Sequence, residues 1–261
     1  MKNVPSFGKT FICIDDKNNR KIYRSIKIKN ILTYGFNKQS NFKIKNTKYF
    51  KDKSLFDIEM SLPNKKKTIL KKFEIPLIGS HNIKNATAAI AVSYFIGIPL
   101  NILKKSLKNF KGVERRFNKI LSFNGAEIYD DYAHHPTEIK ELINGVKNSY
   151  KEKKIICIFQ PHRVSRLNDL KKDFCLSFRK ASSVILCPVY KAGENMKLDL
   201  NYKKFSEQIS KKSKVQVFIV NNQYELAKFL KQYLKPENLV IGMGAGSISN
   251  WIKELSTLMK K

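Results

Sequence analysis

Lys154-Ile155-Ile156-Cys157-Ile158-Phe159, followed at once by Gln160-Pro161-His162-Arg163-Val164-Ser165-Arg166, is a short apolar run that breaks into a polar cluster. A run this short and this rich in β-branched residues reads as a strand buried on both faces, and the polar cluster as the loop at its carboxyl end. The same succession recurs on both sides of it. Strands are expected at Glu127 to Tyr129, Ser183 to Leu186, Val215 to Val220 and Leu239 to Met243. Helices are expected at Pro136 to Ser149, Asn168 to Lys180, Tyr202 to Ser210, Gln223 to Leu234 and Ser249 to Leu258. Buried strands separated by amphipathic helices predict a parallel, doubly wound α/β sheet of Rossmann-like type over residues 113–261, with Lys111-Gly112-Val113 as the hinge before it. Ligands of such sheets gather at the carboxyl ends of the strands, where polar clusters follow Tyr129, Phe159 and Met243.

Residues 1–112 are less regular. Strands are expected at Thr10 to Ile14, Ile31 to Phe36 and Thr68 to Ile75, weaker ones between Phe42 and Leu62, and a Lys-rich helix or turn near Asp16 to Ser25. Pro63-Asn64-Lys65-Lys66-Lys67 reads as a polar turn. Ser80 is placed to cap a helix from His81 to about Ile96, in which Ala86, Ala88, Ala89 and Ala91 offer small side chains for close packing, before Gly97 and Pro99 stop it. A second short helix is expected from Leu100 to Asn109.

The 261 residues carry 42% hydrophobic side chains, enough for one sizeable core or two modest ones, which excludes a disordered or fibrous chain. The longest apolar stretch, Ala86 to Leu100, is interrupted by Thr87, Ser93 and Gly97 and is too short to span a bilayer, and no signal-peptide run opens the chain. Cys13, Cys157, Cys175 and Cys187 are scattered, three of them in apolar runs, as suits reduced core thiols. The expectation is a soluble cytoplasmic protein with no membrane contact. A formal charge of +30, from 51 Lys and Arg against 21 Asp and Glu, raises nucleic acid as a partner. Only seven of the cations are Arg, and the lysines spread over nearly every segment, so a solvated lysine surface is preferred to a dedicated nucleic-acid face. Against that lysine background Arg115, Arg116, Arg163 and Arg166, paired in two short segments, mark places that need a planar guanidinium.

Asp130-Asp131-Tyr132-Ala133-His134-His135-Pro136 joins an expected strand to an expected helix and is too polar for a core loop, although Asp and His could serve there merely as caps. A two-metal phosphoesterase would also use Asp and His, but no second carboxylate cluster accompanies these, and no metal site is assigned. Arg163 and Arg166, three apart, would project on one side of a helix and could fork a carboxylate or phosphate. Gly242-Met243-Gly244-Ala245-Gly246-Ser247 has the look of a phosphate loop but lies at the last strand, where a tight turn is the better reading.

Six segments occur in the order found in the Mur ligases of peptidoglycan synthesis: Gly79 to Ala86, Gly112 to Phe117, Asp130 to Pro136, Phe159 to Arg166, Val189 to Glu194 and Gly244 to Gly246. Val4 to Gly8 and Cys13 to Asp16 also resemble that family's central domain. The resemblance is greatest to the branch that joins L-alanine to UDP-N-acetylmuramate, with Gln-Pro-His-Arg-x-x-Arg as the discriminating segment. It implies the second half of a central ATPase domain over residues 1–112 and the C-terminal ligase domain over 113–261. The glycine-rich phosphate loop of the family is not legible, since Gly8-Lys9-Thr10 has no glycine before it and an expected strand after it.

What the resemblance implies for chemistry is an acyl phosphate formed from ATP and attacked by the amine of L-alanine. His81, Asn82, Arg116 and Asp131 would serve ATP, with Asn82 on the adenine edge and Asp131 on the ribose hydroxyls. Tyr132, His162, Arg163 and Arg166 would hold L-alanine, and His134 would be the catalytic group. Mg2+ would accompany ATP, its ligands mainly in the family's part that this chain does not match. The chain is then expected to be a fragment, or a half whose N-terminal counterpart is separately encoded, and inactive alone. A catalytically inactive nucleotide- or partner-binding module, and a basic nucleic-acid binder, are the alternative readings.

Overall fold

The computed structural model describes residues 4–5, 7–26, 30–63, 66–195 and 201–260. Ser6 of the Val4 to Gly8 segment, and Asn64 and Lys65 of the Pro63 to Lys67 turn, lie outside the described residues. The chain divides into two compact units, Met1–Gly112 and Val113–Lys261. In order, the first holds β1 (Thr10–Cys13), α1 (Lys17–Ser25), β2 (Ile31–Gly35), β3 (Phe42–Tyr49), β4 (Ser54–Met60), β5 (Thr68–Ile75), α2 (Ser80–Phe95) and α3 (Leu100–Lys108). The second holds β6 (Asn118–Phe123), β7 (Ala126–Asp131), α4 (Pro136–Ser149), β8 (Lys154–Phe159), α5 (Val164–Phe174), β9 (Ser183–Leu186), α6 (Tyr202–Ser213), β10 (Gln216–Ile219), α7 (Gln223–Tyr233), β11 (Asn238–Met243) and α8 (Ile248–Leu258).

In the first unit β1, β2 and β3 pair in parallel and β3, β4 and β5 antiparallel, in the order β1-β2-β3-β4-β5. β4 shows why the meander has one wet face: Ser54, Phe56, Ile58 and Met60 are buried while Leu55, Asp57 and Glu59 alternate outward. Asp57 ties two irregular positions on its neighbours, accepting the Lys72 amide and the Asn46 side-chain amide at 2.8 Å each; both residues have positive φ. The core closes under α2 through Ile83, Ala86, Ile90 and Ala91. Of the four alanines expected to pack closely, Ala86 and Ala91 do so and Ala89 is exposed, because a 3.6-residue period cannot turn neighbouring positions to the same face. Ser80 is the first helical residue, and Gly79, at φ 91°, stands in the cap position ahead of it.

The second sheet runs β10-β9-β8-β11-β7-β6, parallel throughout except for β6, which pairs antiparallel with β7. The residues of β9 and β11 are buried from end to end, as are those of β8 after Lys154, as expected of strands covered by helices on both faces. β11 returns to lie between β8 and β7, so the carboxyl ends of these three strands open side by side. Two expectations change. β6 was not anticipated; it joins β7 through Asn124-Gly125, both with positive φ, the geometry of a two-residue hairpin turn. α5 begins at Val164 and ends at Phe174, earlier at both ends than the expected Asn168 to Lys180. Among the described residues the cysteines are all free, with Cys157, Cys175 and Cys187 buried and Cys13 half-buried. No helix among these residues is long and apolar enough to cross a membrane.

Candidate functional site

The end of β7 is organised by its two carboxylates. Asp130, only 1% exposed, accepts from Arg115 Nε at 3.2 Å and from the Ser249 hydroxyl at 2.6 Å. Asp131 accepts the amides of Phe117 and Ala133 at 2.8 Å each. Burial raises its pKa to about 6, against the opposing pull of those amides and of Arg116. An ionised carboxylate has about four lone-pair directions, so Asp131 keeps acceptor capacity beyond these two bonds. Arg115 and Arg116 lie over the Tyr132 ring, their guanidinium carbons 4.8 and 6.0 Å from its centre.

The two histidines that follow have separate jobs. His135 caps α4: its Nδ1 accepts the Thr137 amide at 3.3 Å, while Glu138 accepts the amides of His134 and His135, completing a capping box before Pro136. His134 Nδ1 lies 2.9 Å from the Tyr132 carbonyl. A carbonyl can only accept, so Nδ1 holds a hydrogen, and in the neutral ring the lone pair is on Nε2.

At the end of β8, the His162 ring sits 5.8 Å from that of His134 and stacks on Tyr190 at 5.5 Å and 17°. Arg166 Nη1 approaches His162 Nδ1 at 3.2 Å and donates to the His162 carbonyl at 3.1 Å. A guanidinium can only donate, so His162 accepts at Nδ1 and offers Nε2–H outward. Burial, then the charge of Arg166, lowers the His162 pKa and keeps the ring neutral. Arg163 is exposed with φ 71°, in the cap position ahead of α5, so it and Arg166 are not successive members of one helix face as the spacing had suggested. They do share the same short segment, together with His162.

The glycine loop after β11 is a packing device. A Cβ on Gly246 would lie 2.7 Å from Gln160 Oε1 and press into the Tyr190 ring, and one on Gly244, at φ 151°, would lie 2.8 Å from the Gln160 carbonyl. Gln160, 2% exposed, holds the loop by accepting the Ile248 amide at 3.0 Å and donating to Ser247 Oγ at 3.1 Å. The tight-turn reading therefore fits the loop's geometry.

The second unit thus brings Tyr132, His134, His162, Arg163 and Arg166 to one end of its sheet, with Arg116 and Asp131 beside Tyr132. His81 and Asn82 belong to the first unit, in the first turn of α2, where the Asn82 side-chain amide donates to the Ile78 carbonyl at 2.8 Å. Arg115, Gln160, Tyr190, Glu194 and Ser249 received no role from sequence, and each acts through partners far away along the chain. Arg115 carried a signal as one of the few arginines in a lysine-rich chain, and Gln160, Tyr190 and Glu194 lay within the family-like segments, whereas Ser249 carried none.

Residues 115–246 match the family described as Mur ligase, glutamate ligase domain, and residues 1–93 match the Mur ligase middle domain. The chain belongs to the Mur ligase family. Among curated Mur ligases, the UDP-N-acetylmuramate–L-alanine ligase of Pelagibacter ubique is 56% identical over 99% of this chain and 56% of its own length. The enzyme of the same name from Bartonella henselae is 36% identical over 96% of this chain and 53% of its own. The chain therefore spans about half the length of the curated relatives it matches. The crystal structure of the UDP-N-acetylmuramate-alanine ligase from Thermotoga maritima superposes with a TM-score of 0.70 at 25% identity, over 88% of this chain and 48% of that one. MurF from Acinetobacter baumannii, at 16% identity and a TM-score of 0.72 over 100% of this chain and 53% of that one, shares the fold.

Proposed function

We propose that this Mur ligase chain supplies the amino-acid site and part of the nucleotide site of a cytoplasmic enzyme that joins L-alanine to the lactyl carboxylate of UDP-N-acetylmuramate in peptidoglycan precursor synthesis. The observation that supports this most is the meeting of a neutral donor, His162 Nε2–H, two guanidiniums, Arg163 and Arg166, and a lone-pair nitrogen, His134 Nε2, at the ends of β7 and β8. Donors of that kind suit the carboxylate of a small amino acid, and a lone-pair nitrogen beside them suits its ammonium group.

ATP supplies the phosphoryl group that turns the lactyl carboxylate into an acyl phosphate. His162, Arg163 and Arg166 hold the alanine carboxylate, with Tyr132 closing the pocket. His134 Nε2 takes a proton from the ammonium, which frees its lone pair. As the C–N bond forms, the C–O bond to phosphate breaks, phosphate leaves with the electron pair, and the surplus proton of the new amide nitrogen goes with it. Nearby guanidiniums offset the charge that develops. On the nucleotide side, the Asn82 Nδ2 bond to Ile78 leaves Oδ1 free to accept from the adenine amine, with His81 adjacent in sequence. Arg116 offers a cation to the nucleotide, and the remaining lone pairs of Asp131 suit ribose hydroxyls. Among the described residues no three His, Cys, Asp or Glu side chains converge as metal ligands.

The test is phosphate release from ATP by this chain produced together with the stretch of the Pelagibacter ubique relative that it does not match. Release that needs both L-alanine and UDP-N-acetylmuramate is expected from the pair, and none from the chain alone. No release from a well-folded pair would defeat the proposal, and turnover by the lone chain would show that the catalytic parts are misassigned.

A further inference from the structure

The first turn of α5 carries Arg166, with Arg163 just ahead of it, yet the residue in the cap position makes no cap bond. A helix start usually takes its cap from the residue just before it, by a Ser, Thr, Asp or Asn oxygen. Here that place is occupied by Arg163, in a left-handed conformation that residues other than glycine adopt rarely, and its side chain makes no cap bond. The missing acceptor comes from Glu194. Its Oε2 accepts the Ser165 amide at 3.1 Å and its Oε1 accepts the Ser165 hydroxyl at 2.5 Å, a two-point grip from 29 residues away.

The grip has a second point along the same loop. Tyr190 lies in a parallel bridge with His162; its amide donates to the Pro161 carbonyl, and its own carbonyl accepts the Arg163 amide, both at 2.9 Å. Ala192 and Gly193, with φ 53° and 80°, then turn the chain so that Glu194 reaches the segment already held by Tyr190. Tyr190 fixes the entry to the arginine segment and Glu194 fixes its exit into the helix. Glu194 also stands near enough to Arg163 for the charge of that guanidinium to help hold its pKa down, after the larger effect of its bond to the Ser165 hydroxyl.

We infer that Glu194 is a positioning residue: through Ser165 it sets the first turn of α5, and with it the contact of Arg166 with His162 and the aim of Arg163. That this aim serves the carboxylate of L-alanine rests on the proposed function; the contact itself does not. A cap confined to stabilising α5 could have stood at position 163. Its removal to a distant loop leaves that position to a functional arginine.

The experiment uses the whole chain, labelled with nitrogen-15, as wild type and as Glu194→Ala, Glu194→Gln and Ser165→Ala. In Glu194→Ala, hydrogen-exchange protection of the Ser165 amide should fall about tenfold, the scale of a lost charge-assisted bond, while amides of β8 and β11 keep theirs. The His162 imidazole nitrogens should lose the pattern of an Nε2–H ring held by Arg166. Glu194→Gln can still accept the Ser165 amide and should fall between. In the completed enzyme, Glu194→Ala should raise the Michaelis constant for L-alanine about tenfold, with Glu194→Gln partly restoring it and that for ATP unchanged. Unaltered Ser165 protection and an unaltered His162 pattern in Glu194→Ala would overturn the inference. If that variant fails to fold, the same null result in Glu194→Gln and Ser165→Ala would overturn it equally. Altered exchange with unaltered alanine kinetics would overturn the link to the arginines. Absence of turnover in the wild-type pair counts against the ligase reading alone, because exchange and imidazole signals report the contact without it.

Discussion

The guanidinium of Arg115 donates to the carbonyl of Gly244 at 2.6 Å, so the first residues of the second unit are bonded to the loop that follows its last strand. The same side chain donates to Asp130 at 3.2 Å and covers the Tyr132 ring, serving three partners in two segments with one planar group. Lysine offers a single point charge without this fork. Arg115→Lys keeps the cation but loses the fork, and should weaken the unit by about 1.5 to 3 kcal/mol, the scale of one lost charge-assisted hydrogen bond. Urea unfolding checks this, and a loss below about 0.5 kcal/mol, the level of an ordinary surface change, would contradict it.

Asp131 gives a pH signature. Its folded pKa of about 6 lies above the unfolded value, so the fold favours its neutral form. The stability it contributes is then fully present below about pH 4 and is lost as pH rises through about 6, by up to roughly 3 kcal/mol. Asp131→Asn cannot titrate; its side-chain amine would also oppose one of the two backbone amides, so it should be less stable at every pH. The difference in unfolding free energy between wild type and Asp131→Asn should shrink as pH goes from 4 to 7. A difference that stays flat or grows would refute the assignment, as would a carboxyl carbon titrating near 4.

Much of the second unit was legible because its signals are local. Buried runs such as Ile155 to Phe159 and Val184 to Leu186 can hardly be anything but central strands, and Pro136 marked the start of α4. β6 is a different case: Asn124-Gly125 is a strong hairpin signal, but the flanking Asn118–Phe123 run has too few buried positions to announce a strand. The start of α5 was not legible, because its cap is Glu194, remote in sequence. Sequence alone could bring His134, His162, Arg163 and Arg166 to the carboxyl end of one sheet. It could not show which imidazole nitrogen carries the hydrogen, since that depends on the Tyr132 carbonyl and the Arg166 guanidinium.

The end of β11 and the glycine loop after it should tolerate Cβ atoms unequally. At Gly244 the obstacle is the Gln160 backbone carbonyl, at a φ of 151° that suits glycine alone, whereas at Gly242 a Cβ meets the side chain of Ile252. Gly242→Ala should cost about 1 to 3 kcal/mol by overpacking, and Gly244→Ala more, because it adds backbone strain to a clash that no rotamer relieves. Thermal melts of the two variants test the order, and equal midpoints would mean the loop is less constrained than its geometry implies.

Limited proteolysis should divide the chain at its hinge. Residues 110–113 carry no helix or strand and Lys111 is exposed. In the first unit α1 buries none of its residues, whereas β8, β9 and β11 are buried almost throughout. Trypsin should cut after Lys111 and then erode the N-terminal piece, leaving a fragment that begins at Gly112. Survival of residues 1–111 with loss of the remainder would reverse this order.

The two arginines of the QPHRVSR segment provide the most direct test of the site. Arg166 already donates to the His162 carbonyl, and its Nη1 also lies beside the neutral His162 ring, with no carboxylate bonded to it among the described residues. Arg163 stands nearer Glu194, whose oxygens are held by Ser165. Both can fork an incoming carboxylate, and lysine at either place keeps the charge but loses the fork, so Arg→Lys should harm nearly as much as Arg→Ala. Loss of one charge-assisted contact is worth roughly 1.5 to 3 kcal/mol, or about ten- to a hundredfold in apparent affinity. In the completed enzyme this should appear in the Michaelis constant for L-alanine and leave that for ATP nearly unchanged. Arg166→Lys should be the more damaging of the two, because it also frees the His162 ring from its tautomer. Should both lysine variants keep normal alanine kinetics, or lose ATP binding instead, the arginines would belong to the phosphate side of the reaction.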